Sequence, residues 1–131
     1  GTFRTLTAET RAFTGRRLKE VAEAIAAMAG VEVVFDHFPT YPVTFNHAEQ
    51  TEKAAEIARA ISGGERVDVQ MPPTLGGEDF SYMLEARPGA FIFMGNGDTH
   101  GLHTPRYDFN DEAIPYGASY WAKLVETLRA A

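Results

Sequence analysis

Segments with helical periodicity alternate with short β-rich segments along almost the whole chain, and this alternation restricts the fold more than any other feature. The segment 8–29 carries apolar residues at three- and four-residue steps, between Thr7 as an N-cap and Gly30 as a C-terminal stop. The same reasoning predicts further helices over 46–62, 80–87 and 112–130. The first of these is predicted to start with a capping box between Asn46 and Glu49 and to carry small residues suited to close packing on a sheet. The segment 39–45 is predicted to be a linker, and Phe91, Phe93 and Trp121 are predicted to be core residues. Strands are predicted at 2–6, 31–38, 67–71 and 89–95. Alternating strands and helices predict an α/β fold.

The composition excludes several functional classes. The 131 residues carry a formal net charge of -6, which argues against nucleic-acid binding because that relies on basic patches. There are no cysteines, so a metal would have to be bound by His, Asp or Glu. No apolar run is long enough to span a membrane, and residues 1–4 lack the apolar core of a signal peptide. We therefore expect a cytoplasmic protein whose start, lacking Met, is processed, engineered or truncated.

His103 is the strongest candidate for a metal ligand. It lies in a loop rich in Gly and Pro that follows the apolar segment 89–95, where α/β sheets place ligands. Neutral imidazole is a good donor to zinc or manganese, and Asp108 is close enough in sequence to orient the ring. A loop histidine without such a context is usually a surface residue. His37, His47 and His100 have no supporting motif and are interpreted as surface or helix-start residues.

Two further places combine charge with a backbone that can approach a ligand. Glu78 and Asp79 follow two glycines and precede a predicted helix, so they either bind a substrate or only interact favourably with the helix dipole. Arg4 lies on a predicted strand, where an arginine usually faces solvent. Its planar guanidinium could instead bind a carboxylate through two hydrogen bonds.

The chain resembles the M20 metallopeptidases, in particular the branch of hippurate hydrolases, N-acyl-amino-acid amidohydrolases and auxin-conjugate hydrolases. The motifs occur in the same order as in that family and cover nearly the whole chain. They are Gly1-Thr2-Phe3-Arg4-Thr5, Tyr41-Pro42-Val43-Thr44-Phe45-Asn46, Gly76-Gly77-Glu78-Asp79-Phe80-Ser81, Leu102-His103-Thr104-Pro105-Arg106-Tyr107-Asp108-Phe109 and Asn110-Asp111-Glu112-Ala113-Ile114-Pro115-Tyr116-Gly117-Ala118.

The resemblance implies two domains. Residues 1–41 would be the second half of a ferredoxin-like lid or dimerisation domain, and 42–131 the C-terminal part of an α/β catalytic domain with a two-metal centre. His103 would be a ligand of Zn or Mn in that centre. Arg4, Asn46, Glu78 and Asp79 would contact a small N-acyl amino acid or peptide, and the lid would form a homo-oligomer.

The family's other metal ligands and its general-base Glu would lie upstream of Gly1, so no catalytic residue is expected within this chain. The resemblance therefore predicts a fragment of an amidohydrolase that is inactive by itself and need not bind a metal ion. Two alternatives remain. One is a non-catalytic α/β module that binds a ligand or partner, and the other is an enzyme assembled from two chains.

Overall fold

The computed structural model describes residues 1–129, and every regular element in that range is helical. No strand is present among these residues, so the predicted α/β fold, with its sheet and its half of a ferredoxin-like domain, is wrong. The elements are α1 (Ala8–Ala29), α2 (Ala48–Ser62), α3 (Phe80–Ala86) and α4 (Ile114–Arg129), with 3₁₀ turns at Gly64–Arg66 and Asp111–Ala113.

The four predicted strands failed because a strand needs a second backbone segment to complete its hydrogen bonds. Here the backbone groups of these segments bond to nearby residues or to side chains, and a single bond from His47 N–H to Gly89 O joins distant backbone without forming a ladder. Val31 N–H donates to Ala26 O at 3.0 Å, which extends the end of α1. Gln70 N–H donates to the Asp68 carboxylate at 2.7 Å, forming a local turn. The alternation of apolar residues is present in the sequence, but it does not specify a partner segment for the backbone.

The sequence correctly located α1 and both of its ends. Thr7 has an extended backbone, and its hydroxyl accepts from Thr10 N–H at 3.0 Å. Gly30 has φ 66°, a left-handed conformation that favours glycine, and ends the helix. The prediction of this helix and of its two caps is confirmed.

α3 begins at Phe80, as predicted, and ends one residue early at Ala86, whereas α2 and α4 each start two residues later than predicted. α2 begins at Ala48 with His47 as its N-cap residue, so the capping box expected between Asn46 and Glu49 is absent. The segment before α4 forms a 3₁₀ turn, with the Asn110 side chain accepting from Glu112 N–H at 3.0 Å. The predicted end of the last helix, at Ala130, lies outside the described residues.

The chain divides into two compact units, which interleave along the sequence. The first unit comprises Gly1–Phe45 and Pro72–Arg87, and the second Asn46–Met71 and Pro88–Ala131. In the first unit the buried side chains include Ala26, Ser81 and Leu84. The predicted boundary between a lid at 1–41 and a catalytic part at 42–131 stays a prediction.

In the second unit α2 packs against α4. Ala54, Ala55 and Ile57 are buried on α2, and Tyr120 is buried on α4. Burial raises the pKa of the Tyr120 phenol because the charged phenolate is poorly solvated there. The small side chains of α2 were expected to allow close packing on a sheet, and they contribute instead to the packing between two helices.

Large apolar side chains remain exposed on both units. Met28 at the end of α1 is 89% exposed, and Trp121 on α4 is 63% exposed. Phe93 is also exposed, so the expectation that Phe93 and Trp121 are core residues is wrong. Exposed apolar area of this extent is typical of surfaces that another segment or molecule covers. None of the helices within residues 1–129 has the length and hydropathy needed to cross a membrane.

Candidate functional site

In the first unit, Glu78 holds the turn that begins α3. One oxygen of its carboxylate accepts from Phe80 N–H at 3.0 Å, and its backbone carbonyl accepts from the Ser81 hydroxyl. Ser81 is fully buried, so this turn is fixed from inside the unit. Asp79 is exposed and makes no side-chain cap to the helix. The two neighbouring acids therefore differ: Glu78 organises the backbone, and Asp79 faces solvent.

Arg4 lies beside Gly77, the residue that precedes Glu78. A methyl group added at Gly77 would lie 4.0 Å from Arg4 Nε and 3.2 Å from Tyr41 Cδ2. Three motifs separated along the sequence thus meet at one backbone position: the residues around Arg4, those around Tyr41, and the Gly76–Asp79 segment. The structure brings Arg4, Glu78 and Asp79 into one neighbourhood.

Tyr41 in this cluster is held from two sides. Its carbonyl accepts from the Arg11 guanidinium of α1 at 2.7 Å. Its ring lies edge-on to Tyr82 of α3, with the ring centres 6.1 Å apart, and the Tyr82 hydroxyl donates to Thr40 O at 2.8 Å. Sequence reasoning assigned Tyr41 only to a linker and to a family motif. Two prolines and two aromatics in the segment 39–45 were the available signal that it is fixed.

His103 belongs to the second unit and is fully accessible on its loop. It is the only non-glycine residue with positive φ among residues 1–129, at 63°. This left-handed conformation is uncommon for a side chain larger than Gly, although His tolerates it better than most residues. Such backbone conformations occur often at ligand-binding positions, where the surroundings maintain them.

The loop that carries His103 is closed by Asn96. The Asn96 amide nitrogen donates to Asp108 O at 2.8 Å, and its oxygen accepts from Asn110 N–H at 2.8 Å. One side chain therefore ties the two ends of the loop together across more than ten residues. Within the loop, the Thr104 hydroxyl donates to Gly101 O at 2.9 Å. The sequence analysis missed Asn96, although asparagine is the residue that can pair with backbone N–H and C=O together.

Asn46 performs a similar role elsewhere in the second unit. Its amide nitrogen donates to Phe91 O and its oxygen accepts from Phe91 N–H, both at 2.8 Å. His47 adds to this seam, since its N–H donates to Gly89 O at 3.0 Å and its Nδ1 accepts from Gly89 N–H at 3.2 Å. The side chain of Asn46 thus occupies the place that a neighbouring strand would take. Its predicted contact with substrate stays a prediction.

The described residues do not make a metal centre. Among residues 1–129 no group of three His, Asp or Glu side chains lies close enough to hold an ion. A zinc site of the catalytic kind needs about three protein donors and one open position. His103 is suited to one of those positions, because it is exposed on a loop fixed at both ends. The donor set of this chain is otherwise insufficient.

The second unit also contains a shallow cavity of about 230 Å³ beside the start of α2. It is lined by Ala48, Thr51, Glu52, Ala55, Val69 and Gln70. None of the predicted site residues lines it.

Comparison with known proteins identifies the family. The model of peptidase family M20/M25/M40 matches residues 7–127. The chain is 31% identical to a hippurate hydrolase from Campylobacter jejuni over 92% of its own length and 32% of that protein. It is 35% identical to an N-acetylcysteine deacetylase from Bacillus subtilis, over 95% of its own length and 32% of the relative.

A plant protein, the IAA-amino acid hydrolase ILR1-like 2 of Arabidopsis thaliana, is 35% identical over 87% of the chain and 29% of its own length. The chain thus spans about a third of the length of these curated relatives. No solved structure matches it. The family resemblance predicted from the motifs is confirmed, and the chain belongs to peptidase family M20.

Proposed function

We propose that this chain is part of a metal-dependent amidohydrolase that cleaves the amide bond of N-acyl amino acids. Two of the relatives carry names that specify hydrolysis of an acylated amino acid or removal of its acetyl group. Hippurate and N-acetylcysteine both have a free carboxylate one carbon away from the amide nitrogen. The observation that carries the proposal is the position of Arg4 beside Gly77. A guanidinium that can bind a carboxylate there lies next to a backbone that has no side chain and that a ligand can approach closely.

In this proposal Arg4 binds the carboxylate of the substrate. Its planar group matches a carboxylate with two parallel hydrogen bonds, and the exposed Arg4 is accessible to a ligand. Asp79 and Glu78 contact the polar part of the substrate beside it. None of these residues serves as the general base.

His103 supplies one metal ligand in the proposed enzyme. Metal ions of the family's kind, Zn or Mn, acidify water and polarise the scissile carbonyl. Since residues 1–129 bring together no complete set of donors, we expect the remaining ligands and the general base to come from elsewhere in the assembled enzyme. The isolated chain is accordingly expected to be inactive, and the homo-oligomer predicted from the family belongs to the assembled enzyme as well.

The experiment compares the natural protein that contains this chain with the isolated 131 residues. Release of glycine from benzoylglycine and of cysteine from N-acetylcysteine is measured alongside metal content. We expect the natural protein to hydrolyse at least one of them and the isolated chain neither. Turnover by the isolated chain would refute its inactivity, and a natural protein that binds metal but cleaves no N-acyl amino acid would refute the substrate class.

Two variants test the residues. Arg4→Gln is expected to raise KM at least about tenfold, by removing charged hydrogen bonds to the carboxylate. Arg16→Gln, which changes an exposed arginine on α1, is the matched control. His103→Ala is expected to lower metal content and abolish turnover. Unchanged metal stoichiometry with full activity would remove His103 from the ligands. An inert natural protein that binds no metal would favour the alternative of a non-catalytic binding module.

A further inference from the structure

The contact between Tyr41 and Gly77 has a consequence for Arg4. A methyl group at Gly77 would lie 3.2 Å and 3.7 Å from two carbons of the Tyr41 ring. The shorter distance is below the optimal separation of two carbon atoms, about 3.5–4.0 Å. The ring therefore rests against the bare backbone of Gly77, and Arg4 Nε lies within 4.0 Å of the same point. A methyl group at Gly77 would press on the Tyr41 ring while lying in ordinary van der Waals contact with Arg4 Nε.

The neighbouring glycine provides a natural comparison. A methyl group at Gly76 would meet no atom within 4 Å. Neither Gly76 nor Gly77 has a positive φ, so the backbone of each accepts alanine without strain. The two glycines thus differ in what a side chain would touch. Only Gly77 is required to be small by its surroundings.

Tyr41 has little freedom to yield. The Arg11 guanidinium binds its carbonyl, and Tyr82 both contacts its ring edge-on and binds the preceding carbonyl at Thr40. Arg11 of α1 thus holds the backbone at Tyr41, and Tyr82 of α3 contacts one edge of the ring and binds the backbone at Thr40. The flexible guanidinium of Arg4, in contrast, is exposed and lies on a segment without regular structure.

We propose that Tyr41 and Gly77 are positioning residues for Arg4. The fixed ring and the bare backbone form two sides of the space beside the Arg4 Nε, and thereby hold the guanidinium in the orientation that binds a substrate carboxylate. The inference rests on the role of Arg4 in the proposed function, which it deepens. It makes the discrimination between a carboxylate and a neutral amide depend on the absence of a single methyl group at Gly77.

The test measures binding rather than turnover, in the natural protein that contains this chain. The probe is N-benzenesulfonylglycine, which has the carboxylate but no cleavable carboxamide, and its primary amide is the neutral counterpart. Isothermal titration gives the ratio of the two affinities for wild type, Gly77→Ala and Gly76→Ala. We expect Gly77→Ala to reduce affinity for the carboxylate probe about tenfold and to leave the amide unchanged. Gly76→Ala is expected to behave as wild type.

Tyr41 provides an independent pair of variants. Tyr41→Phe keeps the ring and is expected to retain the preference for the carboxylate, whereas Tyr41→Ala removes the ring and is expected to lose it. This pair decides the matter if Gly77→Ala fails to fold. Equal ratios in Gly77→Ala and Gly76→Ala, or a retained preference in Tyr41→Ala, would overturn the positioning role.

Failure of the proposed function has a different signature. If Arg4→Gln leaves the preference for the carboxylate probe intact, Arg4 does not bind the substrate carboxylate. Its proposed role in substrate binding and the positioning role of Tyr41 and Gly77 are then both refuted. If Arg4→Gln removes the preference and Gly77→Ala does not, only the positioning role falls. The enzymatic proposal alone would be contradicted by a third result. In that result the wild type prefers the carboxylate probe and Gly77→Ala removes this preference, but the wild type cleaves no N-acyl amino acid.

Discussion

The two units of this chain fix their candidate site segments by different means. In the second unit, asparagine side chains hold backbone segments through paired hydrogen bonds: Asn46 binds Phe91, and Asn96 binds Asp108 and Asn110. In the first unit, aromatic rings rest on glycines that have no side chain, as Tyr41 does on Gly77. His37 lies against Gly15 of α1 in the same manner.

This difference determines which substitutions each unit tolerates. A hydrogen-bonded clamp is broken by removing an amide and is unaffected by a methyl group elsewhere. A contact on glycine is broken by adding one carbon. The second unit is therefore sensitive to loss of polar groups and the first unit to gain of volume, and three predictions test the contrast.

The largest effect is expected for Asn46→Ala. It removes two half-buried hydrogen bonds to Phe91, each worth roughly 1 kcal/mol, so the free energy of unfolding should fall by about 2 kcal/mol. Urea unfolding measures this. Asn46→Asp is the matched control, since it keeps an acceptor for Phe91 N–H but cannot donate to Phe91 O. A loss in Asn46→Ala no larger than in Asn46→Asp would show that the bond accepted from Phe91 N–H contributes nothing.

Asn96→Ala should have a smaller and more local effect, about 1 kcal/mol, because its two bonds lie near the surface. Hydrogen exchange of the amides between Asp98 and Asp108 should accelerate, since both ends of the loop are released together. Asn110→Ala serves as control: its side chain accepts only from Glu112 N–H, and its own backbone N–H still binds Asn96. Equal acceleration in both variants would argue against the clamp.

Gly15→Ala tests the contact in the first unit. The added methyl group would lie 2.9 Å from His37 Cε1, so the imidazole must move. Alanine otherwise stabilises a helix interior relative to glycine, by about 0.5 kcal/mol at the lower end of the measured range. We expect that gain in the His37→Ala background and not in wild type. A thermodynamic cycle that gives the same effect in both backgrounds would remove the coupling between the two residues.

The smallest effect concerns an exposed ion pair on α2, which involves neither the asparagine hydrogen bonds nor the ring contacts on glycine. Lys53 lies 2.6 Å from the Glu49 carboxylate, and its hydrogen bond and charge hold the pKa of Glu49 below its ordinary value. Because folding lowers the pKa of Glu49, the ion pair stabilises the folded state at pH values above the ordinary pKa of glutamate. This stabilisation is lost as the pH falls through the pKa of Glu49 in the folded state.

Lys53→Gln should return the pKa of Glu49 toward its ordinary value in a carboxyl NMR titration, and concentrated salt should do the same in wild type. Lys19→Gln, which removes the partner of Glu23 on α1, should leave Glu49 unchanged. A Glu49 titration that is identical in wild type and Lys53→Gln would contradict the assignment. Stability itself should hardly change, because exposed pairs contribute little.

Local signals predicted the helices well and their partners poorly. Thr7 and Gly30 delimit α1 because capping depends on a hydroxyl and on a left-handed φ, and both are decided within a few residues. Asn46 was predicted as a cap for α2 and as a substrate contact. Its amide binds Phe91, which lies 45 residues away along the chain, and no local sequence pattern could predict that bond.

The candidate site shows the same division. Arg4, Glu78, Asp79 and His103 were selected by residue type and motif, and the family they indicated is confirmed. The meeting of Arg4 with Gly77, and the closing of the His103 loop by Asn96, could not be predicted, because both join positions that are distant along the chain. Glu78 is different, because its carboxylate binds Phe80 N–H only two residues away. An interaction this local is one that the sequence could suggest, as the expectation that Glu78 acts at the start of a helix did.

The sequence by itself determined the family, the four helices and the residues with chemistry to offer, since motif identity, 3.6-residue periodicity and capping are local properties. The tertiary structure decided that the apolar alternating segments form no sheet within residues 1–129. It also decided that Tyr41 rests on Gly77 and that Asn46 and Asn96 bind backbone. Hydrogen-bond partners and close contacts between distant residues arise only when the chain is folded, because periodicity specifies the shape of a segment but not its neighbour.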